Sequence, residues 1–582
     1  MSRRLALLAL LVLQVPMTAN AQAPGPVPVA QRPDTARARA GAPLPVPGRS
    51  MVGSRGGVVA ASHPLAAQAG VQVLQRGGNA VDAIIAANAA LGVMEPTGNG
   101  VGGDLFALVW DPKTRRVHGL NASGWAPKAL DVAYLKGKGH DSLPARGAFT
   151  VTVPGTVGGW VALRERFGTL PMSTLVAQAV HYAEQGFPVS EQTATLWARS
   201  TTMLAATPES KATFLIDGRP PRPGQLFRNP DLARTLRAIG AKGRAAVYEG
   251  PVAQAIVASL AAGGSPMTMA DLAEWKPEWV EPVTTTYRGW TVAEIPPNSQ
   301  GIAALMMLNV MERFPIGEWG FHSPDAMHAM IEAKKLAYAD LIRYVGDPRF
   351  MTVKPADMLD KARAQRRAAL VDMTKASCRS LPDEYTAVAR TKGSETIYMT
   401  AVDKDGMVVS LIQSNYSGFG SGIVPKGAGF MLQNRGALFT TEAGQANTLA
   451  GHKRPLHTII PGMMWKDSLH VGFGIMGGWN QAQAHAQFVS NVVDHGMSLQ
   501  QALEAGRFTK ATFDGCDVEI EDAVPEATRQ ALVARGHVLT VRGRRTASFG
   551  FGQAVMTRDG VQFGASDPRH DGAAIPQPAP MP

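Results

Sequence analysis

Two hydroxyl side chains, Thr396 and Ser414, are spaced so that a β-hairpin would bring them together. Thr396 to Val402 is rich in β-branched and aromatic residues and reads as a strand, Asp403 to Gly406 as a turn, and Met407 to Ser414 as a second strand. A three-residue loop with Gly406 in the left-handed region pairs Asp403 with Met407. Counting outward from that pair sets Thr396 opposite Ser414. The two hydroxyls would then face each other across the hairpin, close enough to hydrogen-bond. The same residues also fit an ordinary surface hairpin with Thr and Ser on its wet face.

Other chemistries find little support. There is no G-x-S-x-G elbow, no H-E-x-x-H and no C-x-x-C, so neither a serine triad nor a metal is expected, and no cofactor. Gly98-x-Gly100-x-x-Gly103 has the dinucleotide spacing but follows a helix and precedes a strand, the wrong order. Gly472-x-Gly474-x-x-Gly477 has the right order, yet the acid 22 residues on, Asp494, ends the same helix, so no βαβ unit forms. Net charge is +11, but the first 50 residues hold six arginines against one acid, and the rest shows no basic stripe. No nucleic-acid partner is expected. Cys378 and Cys516 are the two cysteines. In an oxidising compartment they either pair or remain separate small buried groups.

The elements that must position these groups follow from periodicity. The chain of 582 residues is 45% hydrophobic and 18% charged, a globular balance. Arg3-Arg4, the apolar run Leu5 to Leu13 and Ala19-Asn20-Ala21 read as a secretory signal over residues 1–21, which implies a periplasmic or secreted protein without a membrane anchor. Residues 22–50, rich in Pro, Ala and Arg, read as a disordered linker, and residues 567–582 as a loose tail. Helices are expected over Pro64 to Gln75, Ala80 to Val93 (capped by Asn79), His328 to Val345, Gln481 to His495 and about 525–535. Strands are expected over Leu105 to Trp110, Tyr287 to Ile295, 537–542 and within 547–564. Helices, then strands, then helices imply an α+β protein with stacked sheets.

Several blocks in order resemble the γ-glutamyltransferase family. They are Ala61-Ser-His-Pro-Leu-Ala, Gly77-Gly-Asn-Ala-Val-Asp82, Thr152-Val-Pro-Gly-Thr156, Glu332-Ala-Lys-Lys-Leu-Ala-Tyr-Ala-Asp340 and Gly393-Ser-Glu-Thr-Ile-Tyr through Gly406. Then come Gly418-Phe-Gly-Ser-Gly422, Gly429-Phe-Met-Leu-Gln-Asn-Arg435, Arg454-Pro-Leu-His-Thr458 and Gly477-Gly478, so the likeness covers about residues 56–566. The resemblance implies an N-terminal-nucleophile hydrolase with a four-layer αββα sandwich. It also implies a precursor that cuts itself between Glu395 and Thr396, leaving a large chain (51–395) paired with a small chain (396–582). Thr396 would attack small-molecule amides of glutathione type, with water or an amino acid accepting the acyl group. Its freed α-amino group, of ordinary pKa about 7.7–8.0, would be the base. Ser414 would orient it, and Gly477-Gly478 would supply the oxyanion hole.

The pocket departs from the family's pattern. The Arg that holds a glutamyl carboxylate falls at Ser123, and the Asp that holds its ammonium falls at Leu438. An Asn falls at Tyr416, and a serine pair at His457-Thr458. Arg435 is a candidate replacement cation or, equally, half of a structural salt bridge. With Tyr416, Arg435, His457 and Thr458 as the substrate-binding set, the sequence describes one cation among apolar walls. That suits a terminal carboxylate without an amine, and only Glu442 is nearby as an acid. The alternatives to a γ-glutamyl enzyme are a cephalosporin- or glutaryl-acylase-like hydrolase of dicarboxylic acyl amides and a catalytically spent periplasmic binding protein.

Overall fold

The computed structural model describes residues 41–379, 395–543 and 546–579. The expected signal (1–21) and the first part of the expected linker (22–40) lie outside them. Two seven-stranded antiparallel sheets form the centre. The first runs Ala573–Pro576, Val58–Ala61, Glu395–Val402, Val408–Tyr416, Asp104–Asp111, Arg116–Ala122, Glu278–Val280. The second runs Val52–Ser54, Val561–Ser566, Gly552–Arg558, Leu469–Ile475, Gly462–Lys466, Trp290–Glu294, Val283–Tyr287.

Alternation along the strands divides the core into three. In Glu395–Val402, Ile397, Met399 and Ala401 pack outward against the helices Pro64–Gln75 and Ala80–Met94, whereas Tyr398 and Val402 pack inward. Phe106, Leu108, Val408 and Ile412 join them from neighbouring strands, and Ala293, Met463 and Val555 from the facing sheet. Helices Gly301–Met311, Pro324–Tyr344 and Gln481–Val493 cover the other face of the second sheet. The layers are helix, sheet, sheet, helix, the expected αββα order. By the same two-residue period, even-numbered Thr396 and Ser414 face the space between the sheets.

Local signals set the helix ends. The Asn79 side chain accepts from the Val81 and Asp82 N–H groups, and Asp82 accepts in return from the Asn79 N–H, a capping box. The resulting helix is buried all round because it has the first sheet on one side and further helices on the other.

Three expectations need correction. Tyr287 to Ile295 is not one strand. Arg288 (φ +48°) and Gly289 (φ +82°) form a two-residue turn between Val283–Tyr287 and Trp290–Glu294. Residues 41–50, assigned to the linker, have no regular structure but are tied down: the Ala42 N–H donates to Phe321 O at 2.6 Å and the Gly48 N–H to Glu504 Oε2 at 2.8 Å. Residues 567–579 are not a loose tail. Ala573–Pro576 pairs with Val58–Ala61 as an edge strand, where a proline costs no ladder bond to a further neighbour, and Asp567 and Arg569 are buried. Among the described residues no helix is long and apolar enough to cross a membrane.

Candidate active site

The hairpin keeps its expected register from Val402–Val408 outward to Ile397–Gln413, then slips by one so that Glu395 faces Tyr416. Gly406 has φ +84°, and the Asp403 N–H donates to Met407 O at 3.2 Å, closing the turn. At the open end the Thr396 hydroxyl donates to Ser414 Oγ at 3.1 Å. The Ser414 hydroxyl donates to the carbonyl oxygen of Glu395 at 3.0 Å and accepts from the Tyr416 N–H at 2.7 Å. Tyr416 takes φ +75°, unusual for a bulky residue, and this turns its N–H toward Ser414 and away from the ladder. Both hydroxyls are buried.

The loop Gly98–Gly103, set aside as a nucleotide decoy, belongs to this site. A Cβ on Gly98 would lie 3.3 Å from the Thr396 nitrogen, and Gly98 O accepts from the Asn415 N–H at 2.9 Å. Glycine suits this position because the backbone passes tightly beside that of Thr396. The spacing pointed to the wrong ligand; close approach is the physical reason for it.

Gly472-x-Gly474-x-x-Gly477 is likewise explained by packing. A Cβ on Gly472 would meet Thr400 Oγ1 at 2.8 Å, and one on Gly474 would meet the Tyr398 ring at 2.3 Å. Each step of two along Leu469–Ile475 thus moves two residues back toward Thr396. The next step brings Met476 and the Gly477-Gly478 turn to the Thr396 end of the sandwich. Gly477 (φ +128°) and Gly478 (φ +60°) both need the left-handed half of backbone space. The turn leads into Gln481–Val493, and backbone N–H groups at the N-terminal end of a helix suit a developing oxyanion. Gln300 braces it, donating to Gly478 O at 2.7 Å and also to Thr458 O, and Tyr338 donates to Trp479 O at 2.5 Å. Gln300 carries no local signal that sequence reasoning could have used.

The expected binding residues converge beside the hydroxyl pair. Arg435 Nη1 donates to Thr458 Oγ1 at 2.8 Å, and its guanidinium lies 4.7 Å from the centre of the Tyr416 ring. His457 is buried with it. One further residue, Asp104, was missed. It pairs with Ser414 across the strands, its Oδ1 accepts from the Gly124 N–H at 3.0 Å, and its Oδ2 lies 3.5 Å from Arg435 Nε and 3.6 Å from His457 Nε2. Burial pushes the Asp104 carboxyl up to about 6, against the pull of Arg435. Burial, helped by Arg435 and Arg454, holds His457 well below its usual range, so its ring is neutral at pH 7. One cation among apolar walls is therefore not what the pocket contains. Ser123 is a structural group, its hydroxyl donating to Asn121 Oδ1 at 2.7 Å, Leu438 is in the core, and Glu442 is exposed.

Glu395 carries a second electrostatic feature. Burial pushes its carboxyl up to about 7, partly offset by the Thr97 hydroxyl and by Arg199 and Arg146. Nearby Glu95 is fully buried and accepts from the Ser62 hydroxyl at 3.0 Å.

Among the described residues one group, His328, Glu332 and His537, is compact enough to hold a metal ion. Its charge is already balanced. Lys335 Nζ lies 2.7 Å from Glu332 Oε1, and His328 Nδ1 lies 2.8 Å from His537 Nε2, so the group reads as a structural network.

Known proteins resemble this chain over most of its length. The model of the gamma-glutamyltranspeptidase family matches residues 66–577. The glutathione hydrolase-like YwrD proenzyme of Bacillus subtilis is 36% identical over 90% of this chain and 99% of its own. The acylase ACY 1 proenzyme of Pseudomonas sp. (strain SE83) is 36% identical over 90% of this chain and 94% of its own. The crystal structure of cephalosporin acylase from Bacillus halodurans superposes with a TM-score of 0.84 at 39% identity, covering 92% of this chain and 98% of that one.

Proposed function

The chain belongs to the gamma-glutamyltranspeptidase family of enzymes, and we propose that it matures by cutting the Glu395–Thr396 bond and then uses Thr396 as an N-terminal nucleophile on small amides. The observation that carries this is the continuous path from Thr396 Oγ1 to Ser414 Oγ to the Glu395 carbonyl oxygen. In maturation the Thr396 oxygen attacks the Glu395 carbonyl carbon. Its proton passes to Ser414 while Ser414 gives its own to the carbonyl oxygen. The C–N bond then breaks as the proton on that oxygen passes to the nitrogen, which leaves as the Thr396 amine, and the acyl group is held as an ester on Thr396 Oγ1. Water cleaves the ester, leaving the Glu395 carboxylate at the end of the large chain.

In turnover the new α-amino group takes the hydroxyl proton as Thr396 attacks the substrate amide. The N–H groups at Gly477-Gly478 hold the oxyanion, and such a donor contributes about 2.7–4 kcal/mol to other enzymes. The leaving amine takes the proton. Water or an amino-acid amine then attacks the acyl-Thr396 ester, giving an acid or a new amide. Arg435, Thr458, His457 and Tyr416 bind the far end of the acyl group, Arg435 taking its carboxylate. Glutathione-like γ-glutamyl amides are the first reading of the substrate. Dicarboxylic acyl amides of cephalosporin- or glutaryl-acylase type are the second, favoured by Ser123 and Leu438 at the family's glutamyl-binding positions and by the acylase named among its relatives. The basic start and short apolar run within residues 1–21 support export to the periplasm or beyond.

The test is the mass and N-terminal residue of each purified chain. Wild type should give a small chain starting at Thr396. Thr396→Ala should remain one chain and turn over no amide; a Thr396→Ala protein that still splits at this bond would overturn the mechanism.

A further inference from the structure

Asp104 and Arg435 form an incomplete ion pair. Arg435 is fully enclosed, with one nitrogen on Thr458, while Nε and Nη2 are buried without a hydrogen-bond partner. Asp104 Oδ2 is also buried without one, and so are both ring nitrogens of His457. A structural Arg–carboxylate bridge closes to two parallel hydrogen bonds at about 2.7–2.9 Å. This pair stops at 3.5 Å. Burying both charges without completing their hydrogen bonds is costly, and the cost is offset when a ligand supplies the missing partners.

The unfilled groups are one acceptor on an anion and two donors on a cation, side by side. An ammonium and a carboxylate on the same carbon present the complementary set. Asp104 lies opposite Ser414, which meets Thr396, so the acid is two strands from the nucleophile. Adjacent strands stand about 4.8 Å apart, giving roughly 10 Å between the two backbones, which the two side chains and a short acyl chain together span.

We propose that Asp104 and Arg435 are the receptor for an α-amino acid at the far end of the acyl group, Asp104 taking the ammonium and Arg435 the carboxylate. The charges absent at Ser123 and Leu438 are supplied from two other places in the chain. This rests on the reading that Thr396 forms the acyl intermediate, and it narrows the substrate class to acyl groups bearing both charges, of which γ-glutamyl is one. Neutral His457 and the Thr458 hydroxyl complete the carboxylate's surroundings.

The experiment compares kcat/KM for γ-glutamyl and glutaryl p-nitroanilide, which differ in the amine alone. Wild type should favour the γ-glutamyl compound at least tenfold. Asp104→Asn should lower that preference tenfold or more; its splitting into two chains shows that it has folded. Arg435→Gln should impair both substrates. A wild-type preference for the glutaryl anilide overturns the proposal without any variant, and so does an unchanged ratio in Asp104→Asn. Free L-glutamate inhibiting the wild type no better than glutarate also counts against it. Failure of the underlying reading looks different: an uncut chain that turns over neither anilide.

Discussion

The Ser414 hydroxyl donates to the carbonyl oxygen of Glu395 at 3.0 Å. Ser414 Oγ itself accepts from the Thr396 hydroxyl and from the Tyr416 N–H, so its position is set by three contacts. One side chain thus touches both the proposed nucleophile and the bond it would break.

Removing that contact should slow maturation more than it disturbs the fold. Ser414→Ala takes away one donor to the developing oxyanion, a loss worth about 10²–10³-fold in rate elsewhere. Ser414→Thr keeps the hydroxyl and should recover most of it. A time course of chain splitting on a denaturing gel decides; Ser414→Ala maturing at the wild-type rate would remove Ser414 from the mechanism.

Cys378 and Cys516 form a disulfide, and the Gly515 N–H donates to Cys378 O at 2.9 Å. The proposed cut lies between the two cysteines. Mature protein should therefore run as one band without reductant and as two with it. Cys516→Ser should release two bands under both conditions and lower stability by about 2–5 kcal/mol. Separate bands from unreduced wild type would contradict the link.

The Glu395 carboxyl titrates near 7 in the folded chain, against an ordinary 4.5. Between these values the folded state binds the extra proton, so this group's contribution to stability falls as pH rises through that window. Buried histidines such as His63 and His322, both lowered to about 4, act in the opposite sense between about 4 and 6.5. The informative quantity is therefore a difference between two uncut proteins. The stability of Thr396→Ala with Glu395→Gln, minus that of Thr396→Ala alone, should grow by on the order of 2 kcal/mol from pH 5 to 8. Urea denaturation measures it, and a flat difference would show that Glu395 is not desolvated.

Arg569 joins Glu521 and Asp567 in a buried cluster with Arg507, donating to Glu521 Oε1 at 2.9 Å and Asp567 Oδ1 at 3.1 Å. Arg569→Ala leaves Glu521 without this partner and should cost about 3–5 kcal/mol by chemical denaturation. A cost within 0.5 kcal/mol would restore the loose tail that composition alone suggests.

What the sequence determined by itself is local. Asp403 to Gly406 sets a turn, two-residue alternation sets the faces, and together they put Thr396 beside Ser414 with no knowledge of the rest of the chain. The Asn79 cap and the ends of Pro64–Gln75 were legible for the same reason: each signal spans a few residues. Arg435 and His457 were legible only through the family resemblance, and the tertiary structure alone added Asp104 and Gln300, because a charge brought to a site by strand pairing leaves no spacing to read. The tail shows the same limit, because Arg569 looks like a solvated end until Glu521 and Asp567 are placed around it. The Gly98–Gly103 loop shows the converse: its glycines are plain in the sequence, but only the backbone of Thr396 packed against them gives the physical reason they are there.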